Sequence, residues 1–137
     1  MISSWDESFE TGNKIIDSQH RELINLLDEI SDGAKSFHDI FIMFEKVMEF
    51  VTSHQLCEEE LMAQVKYPID ATNVMIEQHK EFKSYLRLRI LEFRHSEVQN
   101  ISPIISFIVN HLKFHEFEAD RNLVEWIRLQ HEPSHAA

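Results

Sequence analysis

Four stretches of this chain place apolar residues in alternating steps of four and three, the repeat of a helix that buries one narrow face, and each gives a position on or beside that face to histidine. The first runs Ile16, His20, Leu23, Leu27, Ile30 and Ala34. The second runs Ile40, Phe44, Val47, Val51, His54, Glu58, Leu61 and Val65. Met75, His79, Phe82 and Leu86 form the third, which Ile90 and Phe93 continue. The fourth takes Ile101, Ile105, Ile108, Leu112, His115, Ala119 and Trp126, with His111 about 40° to one side.

Such a repeat, four times over, fits long helices and little else. With two Gly and three Pro in 137 residues there is too little turn material for a many-stranded sheet. The breaks fall at Asp32-Gly33 and Ser36 to Asp39, at Tyr67-Pro68-Ile69-Asp70, and between His95 and Ser102. Ser102-Pro103 predicts a helix start, with Ser102 as cap and Pro103 as first helical residue. The fourth helix should stop before Pro133. Short connections make neighbours antiparallel, so the expectation is an all-α, up-down-up-down four-helix bundle. Residues 1–137 read as a single domain: an arm over 1–14 that must bury Trp5 and Phe9, a bundle over about 15–131, and a short tail.

The formal net charge of −11 argues against a nucleic-acid partner, which needs clustered Lys and Arg. Arg87, Arg89 and Arg94 with Lys80 and Lys83 come nearest, but Glu77, Glu81 and Glu92 dilute them. No apolar run reaches the length of a membrane span, and the acidic opening is unlike a signal peptide. A cytoplasmic protein is expected. Cys57, the lone cysteine, cannot close an internal disulfide and reads as a small packed residue beside Glu58.

The histidines carry the chemistry. His54 and Glu58 are one helical turn apart and share a face, where an ionised carboxylate beside an imidazole is costly unless something compensates it. A lone core histidine is more often a hydrogen-bonded structural residue than a ligand. Four helices delivering His20, His54, His79 and His115 to one interior, with Glu58 among them, point to a bound cation instead. His38, His95, His131 and His135 fall outside the stripes and read as solvated side chains.

These residues resemble the hemerythrin family, in particular its single-domain bacterial members, over nearly the whole chain. Trp5, Phe9, Gly12, Ile16, Asp17, Gln19, His20 and Leu23 are similar to the family's arm and first helix. His54, Glu58, Glu59 and Met62 followed by Tyr67-Pro68 resemble its second. His79 with Phe82 resembles the end of its third, and Phe107, His115 and Asp120 resemble its fourth. What the resemblance implies is two iron ions joined by an oxo or hydroxo bridge, held by histidines and two bridging carboxylates, and binding dioxygen or another small diatomic or anionic ligand. His20 and His54 would hold one iron, His79 and His115 the other, with Glu58 and Asp120 bridging.

The pattern departs from the family at one ligand. A histidine expected four residues before His79 is replaced by Met75, whose thioether is a weak ligand for iron. His111, one turn before His115, could refill the sphere or line a pocket. It also leaves two pairings open, because His111 to Glu116 has the same five-residue spacing as His115 to Asp120. Five residues span 140° in a straight α-helix, so a local π-bulge is expected to bring either carboxylate in; Asp120 is favoured and Glu116 kept. Oxygen storage, delivery or sensing is the leading function, not catalysis. The alternatives are a di-iron enzyme acting on peroxide or nitric oxide, and a degenerate module holding one metal or none.

Overall fold

Asn13 starts the first helix by accepting hydrogen bonds on Oδ1 from the backbone N–H groups of Ile15 and Ile16, each at 3.0 Å. The computed structural model describes residues 7–32, 36–95 and 101–131. Trp5, Gly33, Ala34, Pro133, His135 and the 96–100 connection lie outside them. Helix α1 spans Lys14–Asp32, α2 Phe37–Val65 and α3 Ile69–His95. The fourth rod has three parts: α4 over Ser102–His111, a π turn over Leu112–Glu116, and α5 over Phe117–His131. Each helix packs on its neighbours in chain order and α4 returns to α1, closing an antiparallel four-helix bundle.

Local chemistry sets the ends. Ser36 Oγ accepts from Asp39 N at 3.2 Å to begin α2. Lys66 ends it in the left-handed region, φ 56°, with Tyr67 N donating to Met62 O at 3.0 Å. In the fourth rod the expected cap is displaced by one residue: Ser102 is already helical, and the carbonyl of Ile101 accepts from Ile104 and Ile105. The arm is fastened to α1 through Asp17, whose carboxylate accepts from Thr11 N and Thr11 Oγ1 at 2.8 Å and from Gly12 N at 3.2 Å. Gly12 has φ 93°, a conformation that L side chains rarely adopt.

Along the bundle the interior changes character. One end is an apolar core that includes Leu27, Ile30, Phe44, Val47, Leu86, Phe93, Ile105 and Ile108. A smaller cluster of Met62, Met75 and Leu123 closes the other. Between them lies a polar layer one to two turns deep, bracketed on α2 by Val51 and Met62 and on α3 by Met75 and Phe82. No helix among the described residues is long and apolar enough to cross a membrane.

Candidate metal centre

The ionisable groups of the polar layer are His20 from α1, His54 and Glu58 from α2, His79 from α3, Glu116 from the π turn and Asp120 from α5, all buried, and Gln55 of α2 is a further buried polar residue. His20 Nε2 is 2.7 Å from Asp120 Oδ2. His54 Nε2 is 2.9 Å from Glu58 Oε1, 3.4 Å from Glu116 Oε1 and 3.5 Å from Asp120 Oδ2. His79 Nε2 stands 3.6 Å from Glu58 Oε1 and 3.8 Å from Glu116 Oε1. Two overlapping groups of donor atoms result, His20–His54–Asp120 and His54–Glu58–Glu116–Asp120, each compact enough for one ion.

These atoms converge without satisfying one another. His54 Nε2, His79 Nε2, both oxygens of Glu58, Glu116 Oε1 and Asp120 Oδ1 are buried and have no hydrogen-bond partner. An unsatisfied buried polar atom costs about 1–3 kcal/mol, so six together approach the about 5–15 kcal/mol that holds a whole domain folded. A cation accepting their lone pairs removes that cost. The donor set fits iron: imidazole and carboxylate suit its borderline-hard character.

The outward nitrogens of two histidines are held. His54 Nδ1 bonds Gln19 Oε1 at 2.6 Å, and His79 Nδ1 bonds Glu59 Oε2 at 3.0 Å. Since neither oxygen can donate, each Nδ1 carries a hydrogen, and each Nε2 is the nitrogen left facing the layer, able to bind a metal once it holds no proton. The sequence shows both partners only as part of the resemblance and gives neither a role. The available signal was that a buried imidazole needs a polar group behind it as well as in front.

Charge is shared unevenly. Burial would lower the His54 pKa, but the carboxylates of Asp120, Glu116 and Glu58 gathered around its Nε2 outweigh it, and the group is pushed up to about 12. Burial, then the nearby Asp120 carboxylate, drives Glu58 well above the usual carboxylate range. Burial opposes ionisation of Glu116 too, yet the neighbouring imidazoles of His111, His54 and His79 hold it well below that range. Asp120 is lowered against burial and the charge of Glu116 by the neighbouring Glu58 carboxyl, by its hydrogen bond with His20 and by the nearby His54.

The fourth rod corrects one expectation. His115, read as an inward residue, is exposed, and its neighbour Glu116 is buried in its place. The cause is the π turn, in which Phe117 N–H reaches Leu112 O five residues back and takes up one extra residue. The inward face continues as Leu112, Glu116, Asp120 and Leu123 instead of Leu112, His115 and Ala119. The expected bulge is present, and it brings in Glu116 and Asp120 together. His111 is half-buried, stacked on Phe82 at 3.9 Å and 9°, with Nε2 3.7 Å from Glu116 Oε2. Met75 lies in the small apolar cluster with Met62 and Leu123. Cys57 is a partly buried free thiol, and His38, His95 and His131 are exposed.

No protein-family model matches the chain. Among curated proteins it is similar to a bacteriohemerythrin of Stenotrophomonas maltophilia, 28% identical over 92 residues, 66% of this chain and 56% of that protein. A hemerythrin-like protein of Naegleria gruberi is 28% identical over 110 residues, 80% of this chain and 84% of its own length. A bacteriohemerythrin of Clostridium acetobutylicum is 24% identical over 128 residues, 88% and 98% of the two lengths. The match thus spans little more than half of the Stenotrophomonas protein and nearly all of the clostridial one.

Proposed function

The chain is hemerythrin-like, and from that premise we propose that it holds a non-haem di-iron centre in the polar layer and binds dioxygen or another small diatomic or anionic ligand there. The observation that carries this reading is the convergence of six buried donor atoms with no hydrogen-bond partner. His20 and His54 would serve one position, His79 and Glu116 the other, with Glu58 and Asp120 shared. A bound iron pair would supply reducing electrons and a Lewis-acidic place for the ligand.

The remaining work falls to the chain. Gln19 and Glu59 hold the rings of His54 and His79 with Nε2 inward, so little reorganisation accompanies binding. Phe117 packs against His20 at 4.4 Å and against Phe9 of the arm at 5.0 Å, sealing that side from water. Apolar cover of this kind slows the escape of charged products and favours reversible binding.

One observation favours a second reading, redox conversion of peroxide or nitric oxide. With Glu116 inside and His115 outside, the donors are three imidazoles and three carboxylates, one anionic ligand more than the resemblance implies. Added negative charge favours the more oxidised metal and works against reversible carriage.

Metal analysis of protein purified without oxygen, followed by an absorption spectrum on admitting air, tests the proposal. About two irons per chain and a near-ultraviolet to visible charge-transfer band are expected. A chain that reproducibly holds one zinc and stays colourless with iron would overturn it. Repeated cycles of oxygenation and deoxygenation then separate the readings: a reversible spectrum supports binding, and rapid peroxide consumption supports conversion.

A further inference from the structure

The π turn that draws Glu116 inward also leaves two histidines between it and solvent. His115 is exposed, His111 is half-buried, and their rings lie 5.5 Å apart between centroids. His111 Nε2 is 3.7 Å from Glu116 Oε2, while the other oxygen of that carboxylate, Oε1, faces His54 and His79 at 3.4 and 3.8 Å. One side chain therefore has an oxygen on each side of the wall. A cavity of about 440 Å³ between α3 and the fourth rod has both histidines in its lining, with Glu81, Gln78 and Asn110 among its polar groups. A second cavity on the other side of His115 adds Asp70 and Glu118.

Resting on the reading of the buried layer as a metal centre, we propose that His115, His111 and Glu116 form the route by which a divalent first-row transition-metal ion passes from solvent into the bundle. The donors change along it in the order such an ion needs. Carboxylates at the mouth attract the hydrated cation. Two imidazoles then replace part of its water, since imidazole suits these metals while leaving Mg²⁺ and Ca²⁺ hydrated. Glu116 Oε2 takes the ion from His111, and Oε1 already belongs to the cluster. Every step exchanges one ligand for another, with no redox change. The stack of His111 on Phe82 fixes the plane of its ring beside this path.

Loading kinetics test the route. Protein stripped of metal by a chelator without oxygen is mixed with cobalt(II), the growth of visible ligand-field absorbance is timed, and final metal content is measured. His115→Ala and His111→Phe should each load about tenfold more slowly, the lower end of what losing a supporting group costs a metal site. Both should reach the wild-type content, and His38→Ala, at a distant exposed histidine, should load at the wild-type rate. Variants that load as fast as wild type to the same content would overturn the route and leave the metal centre standing. A wild-type chain that takes up no metal would overturn both. If His111→Phe ends short of metal while His115→Ala loads normally, His111 is a ligand of the centre and the route is wrong.

Discussion

Helix α2 carries His54 and Glu58 to the polar layer within one unbroken run of 29 residues, whereas the fourth rod delivers Glu116 and Asp120 only after a π turn. In α2 the four-three repeat can be continued from Phe44 to Glu58 without error, because every residue adds the same rotation. In the fourth rod the repeat holds from Ile105 to Leu112 and then slips by one residue. A helix passing from an apolar core to a layer of ligands must satisfy two faces. α2 does so with one register, and the fourth rod needs two.

The largest effect should come from the unbroken helix. Glu58→Ala should abolish metal binding and cost the loaded protein several kcal/mol, because neighbouring imidazoles and metal lose a shared anion. Glu60→Ala, on the exposed side of α2, should change neither by a measurable amount. Thermal unfolding with metal analysis measures both, and equal losses would show the face to be misassigned.

The slipped register has its own test, next in size. Glu116→Ala should lower final metal content, and His115→Ala should leave it unchanged. The reverse pattern would mean that the rod runs in the uninterrupted register and that the comparison with α2 fails.

Smaller effects belong to the groups behind the ligands. Gln19→Leu or Glu59→Leu should weaken metal binding by about 10–100-fold while retaining stoichiometry, and Glu59→Gln should recover part of the loss. Competition with a chelator of known affinity reads this out.

Acidity should give a continuous version of the same experiment. Without metal, His54, raised from its ordinary 6.5 to about 12, keeps its proton at neutral pH, and the raised Glu58 favours keeping its own. The His54 proton must be lost on loading, together with any that Glu58 holds, so protons should be released and affinity should rise with pH. Glu116 and Asp120, held low, are already ionised and add none. The sign for the metal-free fold is opposite for His54: its contribution is complete below 6.5 and fades as pH climbs toward about 12. Calorimetry in buffers of different ionisation enthalpy counts the protons; metal uptake without proton release would contradict the charge assignment.

The least effect on metal is expected from Met75→His. Its side chain packs with Met62 and Leu123, so a histidine there should cost about 1–3 kcal/mol of stability by burying an unpaired polar group, with metal content unchanged. A gain of affinity would place position 75 among the ligands after all.

The bundle was legible in the chain because repeat, scarcity of Gly and Pro, and break residues agree with one another. His20, His54, Glu58, His79 and Asp120 meet in one buried layer, as the residues suggested. Less accessible was the end of the second stripe, where Met62 is buried and Leu61 only partly so. His115 was misplaced for a physical reason: a π turn is a local accommodation between two packing demands, and no pattern confined to its own five residues announces it. Spacing could say that a bulge was needed, but not which side of His115 would bear it. The roles of Gln19 and Glu59 escaped, although both residues belong to the resemblance, because they act from the flanks of their helices, where a polar residue looks like any solvated one.

The bond between His20 and Asp120 joins residues 100 positions apart. Helical bundles gain most of their contacts locally, and such contacts form quickly. A chain emerging from synthesis can pair α1, α2 and α3 and bring together three histidines and Glu58 while Glu116 and Asp120 are still absent. Such a partial bundle presents a half-built, cation-seeking surface before any wall exists to select what reaches it. The last of these four rods to be made is therefore also the one that completes the fit, and order of synthesis separates early, indiscriminate capture from late enclosure.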